Sequence, residues 1–389
     1  MSTSSTARPT RRTRIVCISD THNSTVKLPK GDVLIHAGDL TNQGSYSELS
    51  KAVQWLEKAD FEAKIVIAGN HDITLDRDFY SKHGSSFHNQ TPQDPAECLS
   101  LFTSSSTITY LQNESATVRL ASPNGPGTEF TIFGSPYSPR YGTWAFMYPR
   151  SSGEEPESSG QANTAAELWA AIPPTTDILV THTPPYSHCD DACGCEELRK
   201  TLAKVRPRLH VCGHVHQGRG AERVRWNTDD LAAEDEAVAA AEASVEAWED
   251  PHPDPSSAKI SLVDLTARGG KRPLDFHNAA RPVGDTSDRR LPDPAQRVPC
   301  ASSHPGPGGQ DRVVGPGDPV VRIGNPDSAP EHGGAVISES TGQPVAMDRT
   351  GRRETCIVNC AIVATGWPHT GGKRFNKPIV VDLDLPVWR

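Results

Sequence analysis

HVCGHVHQGRG, residues 210–220, places three histidines in eleven positions, and two of them, His214 and His216, stand one residue apart just after an apolar run. A strand end is the simplest home for such a pair. Alternate side chains there point the same way, so residues i and i+2 can serve one target. The run before it, RLHVC (208–212), is short and apolar, as a buried strand requires. Similar β-branched, nearly all-apolar runs precede it: RIVCIS (14–19), VLIHA (33–37), KIVIA (64–68), FTIFG (130–134) and DILVT (177–181). Such runs suit strands covered on both faces. Between them SELSKAVQWLEKAD (47–60) carries Leu49, Val53 and Leu56 at helical spacing, and EELRKTLAKV (196–205) also reads as a helix. Strands alternating with helices predict α/β layers rather than a β-sandwich.

The character changes near residue 227. DDLAAEDEAVAAAEASVEAWED (229–250) is Ala/Glu-rich with few large apolar residues and reads as a solvated helix. Residues 251–350 hold 15 of the 33 prolines and 12 glycines, a composition that cannot bury enough apolar surface to order itself. A short strand is expected near KISLVDL (259–265), and order returns at TCIVNCAIV (355–363) and PIVVDLDLP (378–386). The expected organisation is a disordered basic tail over 1–13, a discontinuous domain over 14–226 plus 354–389, and a low-complexity, mostly disordered insertion over 227–353.

Composition narrows the function. The formal net charge of −9 argues against a protein that grips an extended nucleic-acid backbone, which needs a basic face. No apolar run is long enough to span a membrane, and no apolar stretch of a secretory signal follows the start. MSTSSTARPTRRTR (1–14) is Ser/Thr- and Arg-rich, read as a basic tail in preference to a transit peptide. Nine cysteines without regular spacing fit reduced thiols in a cytoplasmic setting better than a disulfide scaffold. Cys189, Cys193, Cys195 and Cys212 cluster in sequence, but C-x3-C-x-C is not a usual zinc spacing, and buried thiols are the favoured reading. No GxxxxGK[ST] loop is present, which excludes a P-loop nucleotide hydrolase.

The strand ends carry the chemistry. The first strand runs into SDTHN with Asp20 and His22, and the second into AGDLT with Asp39. The third runs into AGNHD with Asn70, His71 and Asp72. DILVT runs into His182, and RLHVC into His214 and His216. Ligands of α/β sheets bind at this carboxyl edge. A single histidine at such a place is usually a satisfied structural residue. So many carboxylates and imidazoles buried together are costly unless a metal pairs them.

The series D-x-H, G-D, G-N-H-D, H and G-H-x-H resembles the calcineurin-like metallophosphoesterase superfamily, with every motif intact. GSPYSPRYGTWAF (134–146), the THTPP loop and NCAI…KRFNKPIVVDL resemble the branch of vertebrate brain-expressed metallophosphoesterase-domain proteins and their fungal relatives. The resemblance implies a four-layer α/β/β/α sandwich and a metal-dependent phosphoester hydrolase with two divalent ions: Mn, Fe or Zn, with Mg as a further candidate. It implies one ion on Asp20, His22, Asp39 and His216, and a second on Asp39, Asn70, His182 and His214. Two such ions roughly 3.5–4 Å apart acidify a bridging water whose hydroxide attacks phosphorus in line. His71 is then the group that stabilises developing charge or protonates the leaving oxygen. Asp72 either orients His71 or caps the following turn, and Asn23 has a turn role in preference to a phosphate contact. Tyr137, Arg140, Tyr141 and Trp144 either line the substrate mouth or pack as an ordinary loop. The expected substrate is a small phosphoester, a small or cyclic nucleotide diester first. GDLTNQG (38–44) departs from the GDxxDRG of Ser/Thr protein phosphatases. A phosphomonoesterase or a non-catalytic metal-bound scaffold is the alternative; protein partners of the insertion are unknown.

Overall fold

A computed structural model describes residues 8–150, 164–227, 242–274, 352–365 and 371–388. In chain order the strands are β1 (Thr10–Ile18), β2 (Val33–Ala37), β3 (Ala63–Ile67), β4 (Ile108–Tyr110), β5 (Glu114–Arg119), β6 (Glu129–Ser135), β7 (Ser138–Pro139) and β8 (Met147–Tyr148). There follow β9 (Ile178–Thr181), β10 (Leu209–Cys212), β11 (Gly220–Trp226), β12 (Glu242–Ala247), β13 (Ser261–Asp264), β14 (Glu354–Asn359) and β15 (Ile379–Pro386). The helices are α1 (Tyr46–Glu57), α2 (Arg77–Phe87), α3 (Pro95–Thr103), α4 (Ala165–Ala170) and α5 (Glu196–Val205).

Two sheets face one another. The first is ordered β13-β15-β1-β2-β3-β4 and the second β12-β11-β14-β10-β9-β6-β5. The period-2 alternation of the strands sorts their side chains into two cores. Ile15, Cys17, Val33, Ile35, Ile65 and Ile67 of the first sheet meet Ile178, Val180, Leu209, Val211 and Val358 of the second between the sheets. The intervening residues Val16, Ile18, Leu34 and Val66 join the outer core with Leu49, Val53 and Leu56 of α1. Leu179 and Cys212 join it with Leu198 and Leu202 of α5. α1 links the parallel strands β2 and β3, and α5 links the parallel strands β9 and β10, so each helix lies on its own sheet. The layering is the expected α/β/β/α.

The described elements depart from the sequence reading in three places. Residues 10–13, read as tail, belong to β1, which pairs antiparallel with β15 from Thr10↔Pro386 to Cys17↔Ile379. Arg14 fixes this register by donating two bonds of 2.7 Å to its cross-strand partner Asp382. Residues 242–247, read as part of a solvated helix, form β12 against β11. Ala/Glu composition favours helix, but propensity is a weak prior once a ladder and a buried ion cluster compete with it. The strand expected near 259–265 is β13, parallel to β15. The rest of the insertion, 228–241 and 275–351, lies outside the described residues, as do residues 1–7.

The ion cluster that holds β12 gives a pH prediction. His188, 1% exposed, donates from Nδ1 to Glu222 (2.8 Å) and from Nε2 to Glu242 (3.1 Å), so it is an imidazolium. Arg199 of α5 adds two bonds to Glu242, at 2.8 and 2.9 Å. Burial opposes the charge on His188, but Glu222 and Glu242 outweigh it and raise its pKa to about 9. Glu242 is held down at about 2, against its own burial, by His188 and Arg199. A histidine raised in the folded state contributes stability fully below its unfolded value near 6.5 and loses it as pH climbs through about 9. The contribution is at most about 3 kcal/mol. Urea unfolding from pH 6 to 9.5 should show the wild type losing clearly more stability across this window than His188→Gln, which keeps the parallel contribution of His182. Parallel curves for the two proteins would remove the imidazolium from the account.

Candidate metal centre

The five strand ends named from sequence divide three and two between the sheets. β1, β2 and β3 of the first sheet deliver Asp20, His22, Asp39, Asn70 and His71. β9 and β10 of the second deliver His182, His214 and His216. The sheets meet at this edge through the bridge Ser19↔Ala361, and the ligand-bearing loops interlock by backbone bonds. Asp20 N–H donates to Gly38 C=O (2.9 Å), His22 N–H to Asp39 C=O (3.1 Å) and Gly213 N–H to His182 C=O (3.0 Å). Asp20, His22, Asp39 and His214 all take positive φ, from 43° to 65°. Non-glycine residues held there cost about 1–3 kcal/mol each, and such strain persists only where the surroundings enforce it.

Three groups of side chains converge, each with ligand atoms within 4.8 Å of one another: Asp20, His22 and His216; His22, Asp39 and His71; Asp39, His182 and His214. Asn70 joins the last, its Oδ1 3.1 Å from His182 Nε2. Every residue proposed from sequence as a ligand thus reaches one buried edge.

The donor set fits a cation. His22 Nδ1 lies 3.2 Å from Thr41 C=O and His182 Nδ1 2.8 Å from Ala37 C=O. A carbonyl only accepts, so both Nδ1 atoms carry hydrogen and the inward Nε2 atoms are left to bind. His22 Nε2 stands 3.3 Å from His216 Nε2, and His182 Nε2 stands 3.3 Å from Asp39 Oδ2. His216 Nε2 is 3.3 Å from Asp20 Oδ1. Electron-rich atoms at such spacing need positive charge between them. Without an ion, protons on the imidazoles supply it. Burial pushes the Asp39 carboxyl up, but His182, His71 and His22 outweigh it and hold Asp39 well below the usual carboxylate range. Burial likewise works against charge on His182, yet Asp39 and Asp20 raise it to about 9. Asp20 is lowered to about 2 by His216 and His182 against the same burial. His214 goes the other way, down to about 3, because burial dominates and His182 adds to it.

The remaining named residues take definite places. His71 donates its backbone N–H to Asp39 Oδ1 (2.8 Å) and its Nδ1–H to Asn42 C=O (2.8 Å). Asp72 makes no side-chain cap bond to the following turn. Its buried carboxylate accepts from Gly69 N–H (2.9 Å), Leu40 N–H (3.2 Å), Thr41 N–H (3.0 Å) and Thr41 Oγ1 (2.7 Å), clamping the second and third loops together. Asn23 donates to Glu48 at 2.6 Å and takes φ 66°, a turn geometry. Trp144 is 7% exposed and packs against His71, with ring centroids 4.0 Å apart, and against Phe87 at 5.4 Å. A ring so enclosed offers no open face to a base. His210, the third histidine of the opening stretch, points away and bonds Thr181 Oγ1 at 2.7 Å as a core residue. Cys195 caps α5 by accepting from Leu198 N–H. Seven described cysteines are free.

Sequence reading missed the groups that orient the ligands. Ala37, Thr41 and Asn42 act through backbone carbonyls, which no side-chain motif reports. Asn359 donates to Val215 C=O and Cys189 C=O, both at 2.9 Å, and so holds the GHVH loop from β14. Its signal was the NCAI segment, quoted above without a role.

A buried cage of carboxylates, an amide and imidazoles stands at the joint edge of an α/β/β/α sandwich, a donor set that suits divalent cations. The Calcineurin-like phosphoesterase family matches residues 13–218. The chain belongs to this family. It is 40% identical over 229 residues to Metallophosphoesterase domain-containing protein 1 of Homo sapiens, covering 55% of this chain and 63% of that protein. It is 33% identical over 225 residues to a UPF0046 protein of Caenorhabditis elegans, covering 54% and 70%. It is also 43% identical over 217 residues to "Probable rhamnogalacturonate lyase C" of Emericella nidulans, covering 55% of this chain but only 18% of that one. The match thus spans less than two thirds of the fungal and human relatives. The branch is the one its motifs resemble. Among the described residues no helix is long and apolar enough to cross a membrane.

Proposed function

We propose that the chain is a phosphodiesterase of small or cyclic nucleotides that works with a pair of divalent ions. Asp20, His22, Asp39 and His216 would hold one ion, and Asp39, Asn70, His182 and His214 the other. The observation that carries this reading is the position of Asp39. Its Oδ2 is 3.7 Å from His22 Nε2 and 3.3 Å from His182 Nε2, so a single carboxylate faces both clusters. Bound ions would supply positive charge that acidifies water and neutralises phosphoryl oxygens. The oxygen and nitrogen donors suit Mn, Fe or Zn and admit Mg.

The chain's own residues supply orientation and a proton. The carbonyls of Ala37 and Thr41 fix which nitrogen of His182 and His22 faces inward. His71 has Nδ1 committed to Asn42 C=O, so Nε2 is the nitrogen that passes a proton to the departing oxygen. The bond from His71 N–H to Asp39 ties that acid to the bridging ligand. Asp72 serves as a positioning residue for both loops. The net charge of −9 disfavours long polyanions and favours a small diester.

The test is a substrate panel on the full chain, stripped with EDTA and reloaded with Mn. Activity on bis-p-nitrophenyl phosphate should vanish on stripping and return on reloading. Cyclic nucleotide diesters should be cleaved at least about tenfold faster than p-nitrophenyl phosphate, a difference of about 1.4 kcal/mol in barrier. A faster rate on the monoester, or activity indifferent to EDTA, would overturn the proposal.

A further inference from the structure

Trp144 is set against His71 by a chain of contacts that begins in the same motif. The turn after GNHD ends at Asp76, which caps α2 by accepting from Phe79 N–H at 3.0 Å. The second carboxylate oxygen of Asp76 accepts from Phe146 N–H at 2.9 Å, in the loop that carries Trp144. β7 and β8 pin that loop from the other side, through Ser138 N–H to Phe146 C=O (2.9 Å) and Arg140 N–H to Tyr148 C=O (2.7 Å). Phe146 accepts φ 54° in the process. Trp144 then lies between two rings. Phe87, the last residue of α2, backs it at 5.4 Å, and His71 meets it at 4.0 Å with planes 34° apart. His71 also meets His22, with ring centroids 4.8 Å apart and planes at 90°.

We infer that Trp144 is a positioning residue for turnover, holding the His71 imidazole at the angle from which it serves the reacting phosphoester. This rests on the role given to His71 above. Asn42 C=O holds one nitrogen of the ring, and a flat indole at 4.0 Å bears on its face and limits its tilt. The acid must be within hydrogen-bond reach and correctly aimed, so a loose ring costs turnover without weakening substrate binding.

The experiment is a double-mutant cycle on the Mn-loaded full chain with a cyclic nucleotide diester, whose departing alkoxide needs a proton as p-nitrophenolate does not, reading kcat and KM separately. His71→Ala should lower kcat by about 10²-fold. Trp144→Leu should lower kcat by about tenfold with KM within about twofold, and Trp144→Phe, which keeps a ring, should recover most of the loss. In the His71→Ala background, Trp144→Leu should change kcat by less than about twofold, because the ring it positions is gone. Equal losses in both backgrounds would make Trp144 a mere packing residue and sink the inference. If His71→Ala alone leaves kcat unchanged, the role of His71 fails first, and this inference with it. Should Trp144→Leu not fold, the same cycle run with Trp144→Met, which fills the space without a ring, decides between these outcomes.

Discussion

Replacing Asp39 by asparagine is expected to lower diester turnover by roughly 10³-fold or more. Asparagine has nearly the same shape. Its side-chain oxygen can still accept from His71 N–H, the 2.8 Å bond made by Oδ1. What it loses is the charge and the oxygen that faces His182 and His22 at 3.3 and 3.7 Å. Asp39 is 2% exposed, so no solvent replaces that charge. Metal charge stabilises a phosphoryl transition state by several kcal/mol, and each tenfold in rate is about 1.36 kcal/mol, which gives the estimate. Metal content by mass spectrometry should fall together with turnover on bis-p-nitrophenyl phosphate. Full metal retention with near-normal turnover would show that Asp39 is a bystander to two separate sites.

Gly213→Ala should be nearly as damaging, although glycine contributes no ligand atom. A Cβ built at 213 would lie 2.0 Å from Ser19 Oγ and 2.3 Å from Asp20 Oδ2. Neither neighbour can step aside cheaply. Ser19 Oγ donates to Ala37 C=O at 2.9 Å, and Asp20 accepts from His214 N–H at 3.0 Å. Overpacking a tight core costs about 1–3 kcal/mol, and this position falls at the upper end. A shift of about 1 Å in a site group costs about 10²-fold in rate, and here the displaced group is a ligand. Chemical denaturation and turnover should therefore both drop, with Gly69→Ala behaving alike because its Cβ would meet Asp39 N and Oδ1 at 2.3 Å. An alanine at 213 with wild-type stability and rate would mean that the loops are far looser than drawn here.

Much of the site was legible because its chemistry lies in side chains at strand ends. Asp20, His22, Asp39, Asn70, His182, His214 and His216 each follow an apolar run, and the fold brings those ends to one edge. What remained hidden had no side-chain signature. The carbonyls of Ala37, Thr41 and Asn42 orient the imidazoles, yet any residue has a carbonyl. The role of Asp72 was undecided between two local options, whereas it bonds loops separated by about thirty residues, a non-local answer. β12 was read as helix for a similar reason. Ala and Glu favour helix locally, and the ladder with β11 together with the pairing of Glu242 with His188 and Arg199 makes a strand of it.

The placement of β14 and β15 bears on how the chain must be made. β14 lies between β10 and β11, and β15 between β1 and β13, so strands made well after His216, the last residue of the cage, are interior members of both sheets. A fragment ending at residue 226 would contain all seven cage side chains and still expose β1 and β10 as raw hydrogen-bonding edges, the kind that recruit other chains. Folding therefore has to wait for β14 and β15, and a nascent chain long enough to carry every cage residue is not yet able to close the cage.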